Sequence, residues 1–278
     1  MIYDKAVLKA IYSFGRINTA NLLYVASGLK PCARMTVSKR DLPAFTEFIH
    51  HLSLKLLVGF NDISQSVANS EYSEWCQYKI RDIHYNGAVF VYIGKDVRVL
   101  QTLRYYDEEC DNTKVGLLLG YPKCCISHYK RSITHDGDYH LHYEEGQAYA
   151  HVMNIFSFSF DSCYFEHIPC SLSCRPTQQT SEKKEQFLKE KFDTLWNCFE
   201  TLTRSSVLYT QHHGVYLFKN EFLNRHTSIS EFEIIKLASQ SKVAETFTNA
   251  TRLMFDTEGI LIDDHIFLKD EYRLFNFV

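Results

Sequence analysis

Apolar positions along this chain change period several times, and each change marks a predicted element. From Tyr3 to Ala26 they recur at helical spacing, with Val7, Leu8 and Ile11 on one face and Leu22, Leu23 and Val25 continuing the pattern. Gly15 interrupts that run and predicts two helices, and Gly28 followed by Pro31 supplies a stop. Arg40 to Leu57 predicts another helix, carried by Phe45, Phe48, Ile49 and Leu52, with the adjacent His50 and His51 on different faces. Asn61 to Glu74 is polar and rich in Ser and Asn, the composition of an exposed loop. The continuous apolar run Ala88–Ile93, ended by Gly94, reads as a strand, followed by a helix over Lys95 to Tyr106 and a short apolar stretch over Thr113 to Leu119.

The strongest periodic segment is Ser181 to Arg204. Leu188, Phe192, Leu195, Phe199 and Leu202 form one stripe, and Lys183, Lys184, Glu185, Lys189 and Glu190 fall largely outside it. Beyond it the period shifts towards two. Val207–Tyr209 and Val215–Phe218 flank His212, His213 and Gly214, the pattern of a hairpin. Ile260–Ile262, a turn at Asp263–Asp264, Ile266–Leu268 and Tyr272–Phe277 continue in strand fashion. The predicted class is α+β, mainly helical in its N-terminal and central parts, with a small, mostly antiparallel sheet and C-terminal hairpins. The expected division is a main domain over 1–204 and a β-rich extension over 205–278. No internal repeat or low-complexity tract occurs.

Composition changes this picture in two places. The chain of 278 residues is 45% hydrophobic and 23% charged, enough for a sizeable core, and its 18 Tyr and 20 Phe belong largely inside one. Its formal net charge of −3, with neither sign gathered in a long block, argues against a general nucleic-acid surface, though not against a local basic patch. The first residues include Asp4, Lys5, Lys9 and Arg16 instead of an apolar leader, and no stretch is long enough to span a membrane. A cytoplasmic protein is therefore expected. In a reducing compartment the nine cysteines, an odd number, suit metal binding or thiol chemistry better than a disulfide framework.

Two blocks concentrate that chemistry. In Leu119–Gly120–Tyr121–Pro122–Lys123–Cys124–Cys125, Gly120 permits a turn and Pro122 suits a helix start, which would place both cysteines in a first turn where the helix dipole favours thiolate. About 45 residues on, His167–Ile168–Pro169–Cys170–Ser171–Leu172–Ser173–Cys174 adds two more sulfurs, with Ser171 and Ser173 as candidate donors to them. Cys124, Cys125, Cys170 and Cys174 together supply the four ligands of a tetrahedral ion or an iron–sulfur cluster. Cys163 is near enough to substitute. Cys32, Cys76, Cys110 and Cys198 read as isolated residues. The alternative is that each of the four is simply a small buried hydrophobe.

These blocks resemble a little-characterised prokaryotic family that carries a Leu-Gly-Tyr-Pro-x-Cys-Cys block and a downstream Pro-Cys-Ser-x-x-Cys block. Gly28–Leu29–Lys30–Pro31 and Tyr92–Ile93–Gly94–Lys95–Asp96 are similar to it as well, and the likeness runs roughly from residue 20 to 180. The resemblance singles out the four cysteines and implies no activity.

Histidines supply the remaining candidates. His140 and His142, with Asp138 or Glu144, could form a set with open coordination positions, although the polar run from His135 to Glu145 reads more simply as a solvated loop. His128 and His167 stand near the cysteine blocks and could serve as proton partners of a thiolate. His212 and His213 belong to a turn, and His226 and His265 read as surface residues. No phosphate loop, dinucleotide fingerprint or hydrolase elbow occurs. The sequence thus favours a metalloenzyme acting on a small molecule, with an iron–sulfur cluster or a zinc or iron ion held by the four cysteines and His128, His140, His142 or His167 beside it. A zinc-stapled binding module and a thiol redox protein are the alternatives.

Overall fold

The computed structural model describes residues 2–63, 88–132, 147–210, 214–219, 223, 228–230, 234–238, 250, 252–256, 259–263, 266–268 and 272–278. The α+β class expected from the sequence holds. The chain forms two compact units. One comprises Met1–Leu141, Tyr164–Cys170 and Cys174–Trp196, and the other His142–Cys163, Ser171–Ser173 and Asn197–Val278. No helix among the described residues is long and apolar enough to cross a membrane.

In the first unit, α1 (Ile2–Phe14) and α2 (Arg16–Ser27) are separated at Gly15, as predicted. Its φ of 88° is one that residues with a Cβ rarely adopt. Strand β1 (Cys32–Ser38) follows and was not predicted, because Ala33 and Met35, which alternate into the core, are poor strand formers taken alone. The helix predicted over Arg40 to Leu57 is shorter, α3 (Leu42–His51), and the last three residues of that range begin strand β2 (Lys55–Ile63). Leu54, Leu56 and Leu57 fit either period. The chain is redirected at Ser53, which has φ 55° and donates its N–H to His50 O. Of the predicted loop from Asn61, residues 61–63 end β2 and the rest lies outside the described residues.

Strand β3 (Ala88–Gly94) lies between β1 and β2, antiparallel to both. It reads as a continuous apolar run because both its faces are covered. Val89, Val91 and Ile93 pack with Leu22, Val25, Phe45 and Ile49 on one side. Tyr92 packs with Cys32, Leu100, Leu103, Val115 and Leu119 on the other. Those last residues bring in α4 (Val97–Glu108), capped by Asp96 Oδ1 accepting from the Arg98 N–H, and α5 (Asn112–Leu118), capped by Asp111. Helix α6 (Lys123–Ser132) follows.

The single helix predicted over Ser181 to Arg204 is two, α7 (Arg175–Lys191) and α8 (Asp193–Thr203). The break is Phe192, at φ −143° and ψ 59°, which leaves the helical path with its ring 5.5 Å from that of Phe187. Leu188, Leu195, Phe199 and Leu202 are buried as the stripe requires. Lys184, expected on the polar face, is buried instead. It donates to Tyr164 O at 2.9 Å and lies 5.0 Å from the Tyr24 ring.

The second unit contains β4 (Ala148–Tyr149), β5 (Ser206–Thr210), β6 (Gly214–Phe218), β7 (Ser228–Ser230), β8 (Ile234–Ala238), β9 (Arg252–Asp256), β10 (Gly259–Ile262), β11 (Ile266–Leu268) and β12 (Tyr272–Phe277). They form a five-stranded sheet, β4-β12-β5-β6-β8, and a four-stranded one, β11-β10-β9-β7. The predicted hairpins appear as β5–β6 and β10–β11, while His212 and His213 lie outside the described residues. Leu208, Tyr216, Phe218, Leu253, Phe255, Ile260, Ile262 and Leu274 form the core, and Phe156 stacks at 4.4 Å on Phe275. Like Asn154, Asn276 is a buried polar hub. Its Nδ2 donates to Leu223 O at 2.8 Å, and its Oδ1 accepts from Leu223 N at 2.7 Å and from Ser206 Oγ at 3.0 Å. Replacing Asn276 with Ala strands those partners and should lower stability by about 2 kcal/mol in urea unfolding. A change below about 0.5 kcal/mol would show that they find other partners.

Candidate metal centre

The local chemistry of the first cysteine block explains its residues one by one. Helix α5 ends in a Schellman motif, in which Tyr121 N–H bonds Gly116 O at 2.9 Å and Gly120 N–H bonds Leu117 O at 3.1 Å. Gly120 carries the left-handed conformation this motif needs, φ 81°. A Cβ there would also meet Pro31 Cδ at 3.0 Å, so two separate constraints select glycine. Pro122 then opens the next helix, since Ile126 N–H bonds Pro122 O at 3.0 Å. Cys124 and Cys125 follow in the first turn of α6, where the sequence placed them.

The second block works differently. Cys174 is the N-cap of α7, with Pro176 in the first turn and Gln178 N–H bonded to Cys174 O at 2.9 Å. Two helix starts therefore supply three sulfurs, and Cys170 comes from the loop ahead of α7. The Cys124 Sγ lies 3.9 Å from Cys125 Sγ and 3.7 Å from Cys174 Sγ, and Cys125 and Cys174 are 3.6 Å apart. With Cys170 included, all four sulfurs fall within 4.8 Å of one another, an arrangement that could hold a metal ion.

Thr177 is the residue that sequence reasoning missed. Its hydroxyl stands 3.4 Å from both Cys125 Sγ and Cys174 Sγ and 2.9 Å from His167 Nε2. A weak signal existed, because Thr177 is the third residue of the helix that Cys174 caps, one turn from the sulfur. The expected serine donors are not used this way. Ser171 Oγ instead accepts from Ser173 N–H at 3.1 Å. Cys163 is outside the four-sulfur group, with its thiol 3.8 Å from Asn154 O.

The thiols are not equivalent. Burial pushes Cys125 well above the ordinary thiol range, against the bonds from Thr177 and the Cys170 N–H. Burial also raises Cys170 to about 11, helped by Cys174 and Cys124. Burial opposes ionisation of Cys174 too, but there hydrogen bonds from Thr177, Cys125 and Cys170 outweigh it and the pKa falls. An ion bound here would displace the protons that burial and mutual repulsion retain.

Around the cluster lies a charged shell. Lys30, almost fully buried, pairs with Glu166. The His167 ring lies 5.0 Å from that of Tyr121 and 5.6 Å from that of Phe165. A cavity of about 30 Å³, lined by Lys30, Tyr121, Glu166, His167, Thr180 and Lys184 among others, adjoins these residues. That volume accommodates about one water molecule. Neither His167 nor the buried His128 of α6 belongs to the ligand group. His140 and His142, with Asp138 and Glu144, lie outside the described residues.

Fold and site together define an α+β protein with a four-cysteine group able to bind metal. Residues 94–203, less than half of the chain but including both cysteine blocks, match the family described as "Protein of unknown function (DUF483)". No curated protein and no solved structure matches the chain.

Two outcomes test this shell. Burial, then the charges of Lys184 and Lys30, hold the His167 pKa down to about 3, against 6.5 for a free side chain. Below pH 6.5 the unfolded chain takes up a proton that the folded one refuses. The stability linked to His167 is therefore intact above pH 6.5 and lost as pH falls towards 3. His167→Gln, which can still bond Thr177, should flatten the stability–pH curve in that window. An unchanged slope would assign it to other groups. Thr177→Val should weaken metal affinity about 10- to 100-fold in chelator competition, and equal affinity would mean that the hydroxyl leaves the sulfurs unaffected.

Proposed function

We propose that this is a zinc-binding protein whose Cys124, Cys125, Cys170 and Cys174 hold one tetrahedral ion in a structural role. The observation that carries this reading is the sulfur spacing. Zinc–thiolate bonds of about 2.3 Å require tetrahedron edges of about 3.8 Å. Three of the six edges, those among Cys124, Cys125 and Cys174, measure 3.6, 3.7 and 3.9 Å and bracket that value, and the three to Cys170 fall within 4.8 Å. In a cubane cluster each thiolate binds a different iron, and the core holds the sulfurs farther apart. Spacing thus supports a single ion over the iron–sulfur alternative.

A structural role is supported by the closed ligand set. Catalytic zinc usually keeps one position for water or substrate, and four cysteines leave none. The adjoining cavity, the size of one water, supports the same choice over a small-molecule enzyme. In this reading the ion ties the start of α6 to the start of α7 and to the loop that carries Glu166 and His167.

Metal analysis of full-length protein purified without oxygen tests it. The expected result is one zinc per chain and no acid-labile sulfide, with zinc lost in both Cys125→Ala and Cys174→Ala. A brown protein with several irons and sulfide would overturn the single-ion reading. Unchanged zinc content in both variants would show that the ion lies elsewhere.

A further inference from the structure

We propose that Cys124 is the reactive corner of this cluster, a modification site for hydroperoxides whose oxidation joins it to Cys174 and expels the ion. The inference rests on the single-ion reading above and names a regulation of that site. An ion surrounded by four thiolates offers an incoming reagent no free position, so attack falls on sulfur. The four sulfurs differ in how they meet it. Cys125 and Cys174 are buried and Cys170 is half-buried, whereas Cys124 is exposed although it stands inside the sulfur group.

Hydrogen bonding separates them further. Cys125 and Cys174 both contact the Thr177 hydroxyl at 3.4 Å, and Cys125 also accepts from the Cys170 N–H. A donor hydrogen, here the one Thr177 proton shared between the two sulfurs, draws electron density from a thiolate and blunts its nucleophilicity. The side-chain contacts of Cys124 and of Cys170 are to other sulfurs of the cluster, and of these two Cys124 is the exposed one. Exposure and electron density therefore coincide at one atom, which an oxidant requires.

The resolving partner follows from geometry. Cys174 Sγ is the nearer of the two measured neighbours, at 3.7 Å, and comes from a different helix start. Its approach to a disulfide bond of about 2.05 Å needs only a small shift. Cys125, at 3.9 Å, is adjacent in the chain, and joining it would close a strained ring within the first turn of α6. In the first step the Cys124 thiolate attacks the hydroperoxide, forming an S–O bond as the O–O bond breaks and alkoxide or hydroxide leaves. In the second, the Cys174 thiolate attacks that sulfur, forming the S–S bond and releasing hydroxide. Two thiolates lose two electrons to the peroxide, two ligands leave the ion, and a dithiol reductant reverses the change.

The test uses the zinc-loaded full chain with hydrogen peroxide in slight excess. Zinc release is followed with a chromophoric chelator, and the products are mapped by mass spectrometry without reduction. The expected result is release in step with a Cys124–Cys174 disulfide, recovery of zinc binding after reduction, and no change in rate for Cys110→Ser, which removes an exposed thiol outside the cluster. Limiting N-ethylmaleimide on the unmutated protein should label Cys124 at least tenfold faster than Cys125, Cys170 or Cys174, a measurement independent of whether Cys124 variants keep zinc. Equal labelling of the four, a disulfide without Cys124, or oxidation with zinc retained would each overturn the inference and leave the zinc site standing. A chain that holds no zinc before oxidation overturns the reading beneath it.

Discussion

Four sulfur atoms within 4.8 Å of one another are an electrostatic problem, and the surrounding architecture addresses it. Two thiolates about 4 Å apart repel by about 4 kcal/mol at an effective dielectric of about 20, so four cannot coexist without compensation. The fold supplies part of it through helix polarity. Cys124 and Cys125 occupy the first turn of α6 and Cys174 caps α7, so two positive helix ends meet at the cluster. Thr177 adds a hydroxyl shared between two sulfurs. The remainder falls to protons, which burial holds on Cys125 and Cys170, or to a cation that replaces them.

The same requirement explains the chemistry of the neighbouring shell. His167 bonds Thr177, which bonds Cys125 and Cys174, so the ring orientation is coupled to the sulfurs through one hydroxyl. A charged imidazolium would place a third cation beside Lys30 and Lys184. These are the charges that, after burial, keep His167 neutral. A neutral ring exchanges a well-defined bond with the hydroxyl, and that favours one geometry over several.

How much of this was legible in the sequence depends on how local each determinant is. The turn at Gly120, the helix start at Pro122 and the positions of Cys124 and Cys125 could be read because a Schellman motif and a helix N-terminus are written within a few consecutive residues. The split at Gly15 was legible for the same reason. Strand β1 was not, since Ala33 and Met35 become strand residues only by pairing with Ile93 and Val91 of β3. Nor was the end of α3, where Leu54 to Leu57 suit helix and strand equally and Ser53 decides by adopting a rare φ. The break at Phe192 lay inside an unbroken apolar stripe, and the burial of Lys184 inside a charged one. The burial of the lysine depends on contacts with residues distant in sequence, Tyr164 and Tyr24. Thr177 was missed because a threonine in a first helical turn is ordinary until two sulfurs are found beside it.

Both units carry extensive apolar cores, which sets this chain apart from domains of about 40 residues that usually rely on a metal or other staple. What the cluster can contribute is local. The irregular segment ahead of α7 lacks a helical or sheet ladder to fix it, and its position is set by separate anchors. These are Tyr164 O to Lys184, Glu166 to Lys30, His167 to Thr177, and Cys170 and Cys174 at the sulfur group. Several of these groups are buried and polar, so losing one partner strands another. An ion at the four sulfurs would complete this series at the end nearest the helix start. In the reading proposed above, the site would set the conformation of one loop and two helix ends, a scale on which a single exposed thiol could alter local structure without unfolding either core.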